Sequence, residues 1–408
     1  MEGNRFISEL RLENFLSFGA EPVTLALQPL NVLIGPNGSG KSNLLDAIDL
    51  LRATPSETEL LSLIRASGGV EEWLWKGAHS LPIATIDAVV DYPEGVVPLR
   101  YRLSFTSSGQ RFDIADEAVE NSQMTRPGEE DVYFFYRFQE GHPVLNVRSI
   151  IEQQPGTPSG RVRRTLRREE LSAEKSVLSQ RRDPDQYPEL TYLADQFSKM
   201  RIYKDWIFGR NNEARRPQRP DAPEDCLEAD ASNLGLVLNQ LQHAPGGRKL
   251  LLEKLKDFMY KVSEINTTIR AGTVQVFLQE QGLKHAIPAT RLSDGTLRYL
   301  SLLAILCNPI PPPLVCIEEP EIGLHPDILP DIASLLVEAS KRTQLVVTTH
   351  SESLVSALSD FPDTVVVCEQ DASGTKFSRL EKDRLQTWLE KYSLGELWRR
   401  GEIGGTRW

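Results

Sequence analysis

Four clusters of residues in this chain have the types and spacing to do chemistry. The first is Gly35-Pro36-Asn37-Gly38-Ser39-Gly40-Lys41-Ser42, which fits the phosphate-loop pattern G-x-x-x-x-G-K-[ST]. Its glycines let backbone N–H groups curl around an anion, and a following helix start adds partial positive charge. Lys41 is placed to reach the β- and γ-phosphates of a nucleotide and Ser42 to hold Mg²⁺, with Asn43 next in line as a further contact. A glycine-rich turn would match the pattern without binding anything. The apolar Val32, Leu33 and Ile34 before the loop, and Leu44, Leu45, Ile48 and Leu51 at helical spacing after it, supply the strand and helix that the motif requires.

The second cluster ends the apolar run Leu314 to Ile317 with Glu318, Glu319 and, after Pro320, Glu321. Ligands gather at the carboxyl ends of parallel strands. Glu318 is therefore the candidate for the metal side, direct or through water, and Glu319 the candidate general base. A polar loop after a strand is the competing reading. The third cluster is Leu292-Ser293-Asp294-Gly295-Thr296, where Ser293 caps the helix Leu297 to Leu306. The Ser293 hydroxyl, the Gly295 backbone and the helix dipole also make an anion site; capping alone explains Ser293 equally well. The fourth is Thr348-Thr349-His350-Ser351, where a histidine at a strand end is placed to sense a γ-phosphate.

The elements that must position these groups are legible in outline. Residues 6–34 read as strands, and Leu99, Tyr101, Leu103 and Phe105 alternate as in a half-buried antiparallel strand. Residues 231–263 read as amphipathic helices, 265–290 as strands, and the last third as alternating strands and helices of a mostly parallel sheet. The expected division is 1–150 for the amino-terminal part of an α/β nucleotide-binding head with an antiparallel β subdomain. A mainly helical insertion over 151–264 follows, and 265–408 returns to the head. Within the insertion, Arg161, Arg163, Arg164, Arg167 and Arg168, then Arg210, Arg215, Arg216 and Arg219, bracket Tyr192, Phe197, Tyr203, Trp206 and Phe208. Basic residues among aromatics suit nucleic-acid contacts. A solvated face with inward aromatics fits too, because Glu169, Glu170, Asp183, Asp185 and Asp205 dilute the charge.

Composition narrows the class. A net charge of −11 over 408 residues excludes a polybasic nucleic-acid binder, so any such surface is local. The four cysteines lie far apart with no C-x-x-C pair, which argues for thiols in a reducing compartment. No run approaches the ~18 apolar residues of a membrane span, and the polar start carries no apolar signal region. The expected location is cytoplasmic. Gly401 to Trp408 reads as an exposed tail.

Taken together, the order of the clusters resembles the ABC-type ATPase heads of the SMC/RecF group of P-loop NTPases. The matching segments are Gly35–Ser42, Leu292–Thr296, Leu314–Glu319, the loop Gly323-Leu324-His325-Pro326, and His350, with Glu13–Gly19 similar to that group's opening. Leu-Ser-Asp-Gly-Thr and Glu-Glu-Pro-Glu are most similar to stand-alone ATPases related to the overcoming-lysogenization-defect nucleases. The resemblance covers roughly 5–130 and 265–370. It implies ATP and Mg²⁺ as ligands and a head-to-tail homodimer, in which Ser293 of one copy caps the γ-phosphate held at Lys41 of the other. Glu319 then activates water, with His350 as the switch histidine. Asp294, Thr296 and Glu318 depart from the usual residues, and 50–109 contains no glutamine for a water-contacting loop, which implies slow hydrolysis. The functions implied are a DNA-associated ATPase in repair or phage defence, or a regulatory ATPase for a separately encoded nuclease or toxin. A transporter subunit fits less well.

Overall fold

The computed structural model describes residues 3–125, 131–139, 142–148, 161–165, 171–204, 206, 208–270 and 272–406. In chain order, β1 (Ile7–Glu13), β2 (Val23–Ala26) and β3 (Leu30–Ile34) lead into α1 (Lys41–Ala53) and α2 (Glu59–Ala66). Strands β4 (Ala84–Val90), β5 (Leu99–Ser108), β6 (Arg111–Asn121), β7 (Phe134–Gln139), β8 (His142–Arg148) and β9 (Arg161–Thr165) come next. Then follow α3 (Val177–Gln180), α4 (Pro188–Lys199), β10 (Arg201–Tyr203), α5 (Leu234–His243), α6 (Gly247–Phe258), β11 (Val262–Arg270), β12 (Thr273–Glu280) and β13 (Ile287–Pro288). The chain continues through α7 (Asp294–Leu306), β14 (Leu314–Glu318), α8 (Leu329–Ala339), β15 (Gln344–Thr348) and α9 (Glu352–Ser356). It finishes with β16 (Val365–Asp371), β17 (Gly374–Arg379), α10 (Lys382–Leu389) and α11 (Leu394–Arg399).

The central sheet has the order β10-β14-β15-β3-β16-β17, all parallel except β17. Its inner strands β14, β15 and β3 are covered on both faces, which is why they read as nearly unbroken apolar runs. On one face Leu33, Cys316, Val346 and Val366 meet Leu44, Leu45 and Ile48 of α1. On the other, Val32, Ile317 and Val347 meet Leu297 and Leu300 of α7 and Ile332 of α8. The phosphate-loop helix and the Ser293 helix therefore lie on opposite sides of one sheet. An eight-stranded antiparallel sheet, β2-β1-β4-β5-β6-β7-β8-β9, forms the β subdomain, and β11-β12-β13 form a third sheet.

The stretch 151–264, expected as a mainly helical insertion, holds α3, α4, α5 and α6, but it also lends strands to two sheets. β9 extends the antiparallel sheet and β10 is the edge strand of the central sheet, beside β14. Leu190, Leu193 and Phe197 of α4 join the same core as α1. β10 is only three residues long, too short to show a period, so pairing with β14 decides its state. The helices expected over 231–263 form as α5 and α6. The loop 153–160, Arg167, Arg168, Glu169, Glu170, Asp205, Arg407 and Trp408 lie outside the described residues.

Candidate active site

The phosphate loop leaves β3 at Ile34 and enters α1 at Lys41, as its flanking sequence requires. Gly35 passes so close to β16 that a Cβ there would sit 2.2 Å from the Cys368 carbonyl oxygen. Gly40 is the N-cap of α1 with φ 94°, and a Cβ would fall 2.2 Å from Thr375 Oγ1. Glycine is required at both. Asn43 Nδ2 donates to Ser17 Oγ at 2.7 Å, Ser17 and Thr375 share a hydroxyl contact at 2.7 Å, and Thr375 Oγ1 donates to the Ser39 carbonyl at 3.1 Å. This relay ties the loop to the Glu13–Gly19 turn and to β17, two segments far apart in sequence. The N–H groups of the first turn of α1 have no intrahelical partner, and the Ser39 hydroxyl is buried without one. A phosphate fits both.

Lys41 is buried, with Nζ donating to the Gly35 and Pro36 carbonyls at 2.8 and 3.0 Å. Burial lowers its ammonium below the ordinary lysine range, while Cys368, Glu319 and Glu318 pull it back up. The pairing order β14-β15-β3 brings Glu318 beside the loop: Ser42 Oγ donates to Glu318 Oε1 at 2.5 Å. One hydroxyl and one carboxylate are the hard oxygen donors that Mg²⁺ takes from a protein when phosphates and waters complete its shell.

Glu319 adopts a left-handed backbone, φ 43°, at the end of β14. Its N–H donates to the Thr348 carbonyl at 3.0 Å, and its own carbonyl accepts from Arg298 Nη2 at 2.7 Å. His350 Nε2 lies 3.6 Å from Glu319 Oε1. Burial, and then the nearby Lys41 charge, lower His350 below its ordinary value, with Glu319 and Glu321 opposing, so the neutral ring is favoured. Glu321 fixes that histidine's backbone, accepting from the His350 N–H at 2.8 Å and from Thr349 Oγ1 at 2.7 Å. Gly35, Asn37, Gly38, Ser39, Gly40, Lys41, Ser42, Asn43, Glu318, Glu319 and His350 thus belong to one neighbourhood, at the carboxyl ends of β3, β14 and β15.

Ser293 and Gly295 belong elsewhere. Ser293 Oγ accepts from the Thr296 N–H at 3.0 Å, so it does cap α7, on the face of the sheet opposite α1. A Cβ on Gly295 would lie 2.8 Å from the Gly323 carbonyl, so the Gly323–Pro326 loop sits directly on the helix start. Asp294 pairs with Arg215, which also donates to the Leu292 carbonyl at 2.5 Å. Arg298, one turn into α7 and only 4% exposed, lies 5.2 Å from the Trp206 ring and 6.0 Å from the Phe208 ring.

Those contacts decide between the two readings of the basic and aromatic segment, and a further expectation is revised. Arg215 braces the Ser293 turn, Arg216 pairs with Glu213, and Arg219 pairs with Asp221. Phe197 and Tyr203 are buried, and Trp206 and Phe208 pack on each other and on Arg298. These aromatics fill core instead of forming a base-stacking platform. Nor is Gly401–Thr406 an exposed tail: the Gly405 N–H donates to Glu369 Oε1 at 2.9 Å, and Trp398 Nε1 donates to the Gly405 carbonyl at 3.0 Å. Sequence reasoning missed Ser17, Thr375 and Arg298, read Arg215 only as part of a basic cluster, and gave Glu321 no role. Ser17 alone carried a local signal, inside the Glu13–Gly19 opening.

Among the described residues no helix is long and apolar enough to cross a membrane. The chain is 31% identical over 100 residues to the chromosome partition protein Smc of Mycolicibacterium paratuberculosis, 24% of this chain and 8% of that protein. It is 50% identical over 44 residues to that of Halothermothrix orenii, 10% of this chain and 4% of that protein. The chain therefore spans less than a tenth of the length of the curated relatives it matches. A crystal structure of an Smc head bound to the C-winged helix domain of ScpA superposes with a TM-score of 0.57 at 13% identity, covering 93% of this chain and 99% of that one. A Pyrococcus furiosus Smc head with an extended coiled coil, bound to the C-terminal domain of ScpA, gives 0.54 at 13%, covering 95% and 99%. These likenesses show the fold, that of an SMC-type ATPase head. Residues 30–356 match the family model described as "AAA domain, putative AbiEii toxin, Type IV TA system", and with most of its length in that match the chain belongs to this AAA-domain family.

Proposed function

We propose that this chain binds and hydrolyses ATP and closes head-to-tail on a second copy when ATP is bound. One observation carries the reading: Ser42, Glu318, Glu319 and His350 converge on the phosphate loop, while Ser293 stands across the sheet on α7. A single chain thus holds half of each of two sites, and a second copy supplies the missing half.

Bound Mg²⁺ would be held by Ser42 and Glu318 and would neutralise phosphate charge. The chain's own groups do the rest. Lys41 leaves its two carbonyls for the β- and γ-phosphates. Glu319 takes a proton from the attacking water as oxygen bonds to the γ-phosphorus and the bond to the bridging oxygen breaks. Neutral His350 donates a hydrogen bond to the terminal phosphate without repelling Lys41. The partner's signature turn excludes bulk water.

Anti-phage defence or DNA repair is the setting this reading favours, as a controller of a separately encoded nuclease or toxin. The inward aromatics and the local pairing of Arg215, Arg216 and Arg219 favour that role over direct DNA binding, and the family description names a toxin–antitoxin system. The likeness to the overcoming-lysogenization-defect group rests on the Leu292–Thr296 and Glu318–Glu321 motifs alone. The test is Glu319→Gln in sedimentation with and without Mg-ATP. The variant is expected to accumulate as an ATP-dependent dimer with turnover at least about 100-fold below wild type. A monomer under saturating ATP, with full turnover, removes both the dimer and the base.

A further inference from the structure

Leu394–Thr406 carries no nucleotide-binding motif, yet it forms one wall of a cleft of about 450 Å³ at the mouth of the phosphate loop. Pro36, Asn37 and His350 line one side, and Trp398, Arg399 and Thr406 the other. The wall is built. Ser393 and Glu396 form a reciprocal cap on α11. α11 sits tightly on α9, where a Cβ on Gly395 would lie 2.3 Å from the Glu352 carbonyl. The Trp398–Gly405–Glu369 hydrogen bonds fasten the following turn to β16. A Cβ at Gly405 would be 2.9 Å from Val367 and 3.5 Å from the Gly35 Cα, so the turn abuts the loop's first glycine.

That scaffold delivers Arg399 to the cleft. Its partner is Glu352, at a loose 3.6 Å, with side chains 65% and 40% exposed. Such a surface pair contributes little and is readily exchanged. Of the residues lining this cleft, Arg399 carries the permanent positive charge. A guanidinium matches phosphate oxygens bidentately, better than it matches a distant carboxylate.

We propose that Arg399 is a specificity-determining residue for the nucleotide: it leaves Glu352 and binds the terminal phosphate of a nucleoside triphosphate held in its own chain's loop. This rests on the reading of Gly35–Ser42 as the nucleotide site. The diphosphate lacks the group that Arg399 would meet, so the residue discriminates ATP from ADP.

The experiment is calorimetric titration of the full chain with Mg-AMP-PNP and with Mg-ADP. Arg399→Ala is expected to weaken AMP-PNP about tenfold, the loss of roughly one charge-assisted hydrogen bond, and to leave ADP within about twofold. Arg399→Lys retains part of the preference, and Glu352→Gln tightens AMP-PNP by freeing the arginine. Equal weakening of both nucleotides, or none, overturns the proposal. Lys41→Ala is the control. It should abolish binding of both nucleotides, and if it does while Arg399→Ala changes nothing, the nucleotide site stands and only the role of Arg399 falls. If Lys41→Ala binds both normally, the nucleotide reading itself fails and takes this proposal with it.

Discussion

Replacing Arg298 with methionine separates two quantities that active-site substitutions usually move together. The guanidinium is buried and donates to the Glu319 carbonyl at 2.7 Å and, at a long 3.4 Å, to the Trp206 carbonyl, while its Nε is buried without a partner. Burial lowers it below the ordinary arginine range, and Glu321 and Glu319 only partly offset that. The lost hydrogen bond removes about 1.5–3 kcal/mol. Withdrawing an imperfectly compensated cation from the interior returns roughly as much, since desolvation of such a group costs about several kcal/mol. Methionine loses the guanidinium's stacking on Trp206 and Phe208, but its thioether makes favourable contacts with aromatic rings in turn. Net stability should therefore stay within about 1 kcal/mol of wild type. Turnover should not. Glu319 holds a left-handed backbone, φ 43°, a conformation that costs on the order of 1 kcal/mol and persists because its surroundings fix it. Without the Arg298 anchor the carboxylate loses its aim, and hydrolysis falls about 10–100-fold, or roughly 1.4–2.7 kcal/mol of barrier. Urea midpoints and phosphate release, measured on the same preparations, check both halves. Arg298→Lys should recover part of the rate by donating to the same carbonyl. Unchanged turnover in a well-folded Arg298→Met protein would refute the argument.

Two further substitutions probe the scaffold. Glu117 is buried and accepts from Tyr101, Ser176 and the Val177 N–H, yet burial outweighs those bonds and raises its carboxyl to about 7. The folded state therefore holds this proton more tightly than the unfolded chain does. Its stabilisation is full below pH ~4.5 and is lost as pH rises toward ~7, with a slope of up to about 1.4 kcal/mol per pH unit. Glu117→Gln should remove that slope from urea midpoints taken between pH 5 and 8; an identical pH profile would show that the carboxyl does not titrate there. Thr375→Ala cuts the relay from Asn43 to the Ser39 carbonyl. It should weaken ATP and ADP alike about three- to tenfold in titration, with thermal stability nearly unchanged; wild-type affinities would mean the loop holds its shape unaided.

The phosphate loop, the carboxylates after β14 and the histidine after β15 were legible because each is local. A glycine pattern, an apolar run and a following polar residue lie within about ten positions and specify their own backbone. The roles of Arg215, Arg298, Ser17 and Thr375 were not legible, because each acts on a residue many positions away. Thr375 and Ser39, for example, meet only when β17 folds back along β16 beside β3.

From the sequence alone come the two periodicities, and with them the α/β class, the anion-binding loop and the acidic strand end, since hydrophobic spacing and glycine geometry are properties of a short stretch of chain. Tertiary structure decided the rest: which strand lies beside which, that β10 belongs to the central sheet, that α1 and α7 occupy opposite faces, and that Gly401–Thr406 folds onto the loop instead of trailing free. Those outcomes depend on burying the faces of distant elements against one another, and burial is a property of the whole chain that no window of it contains.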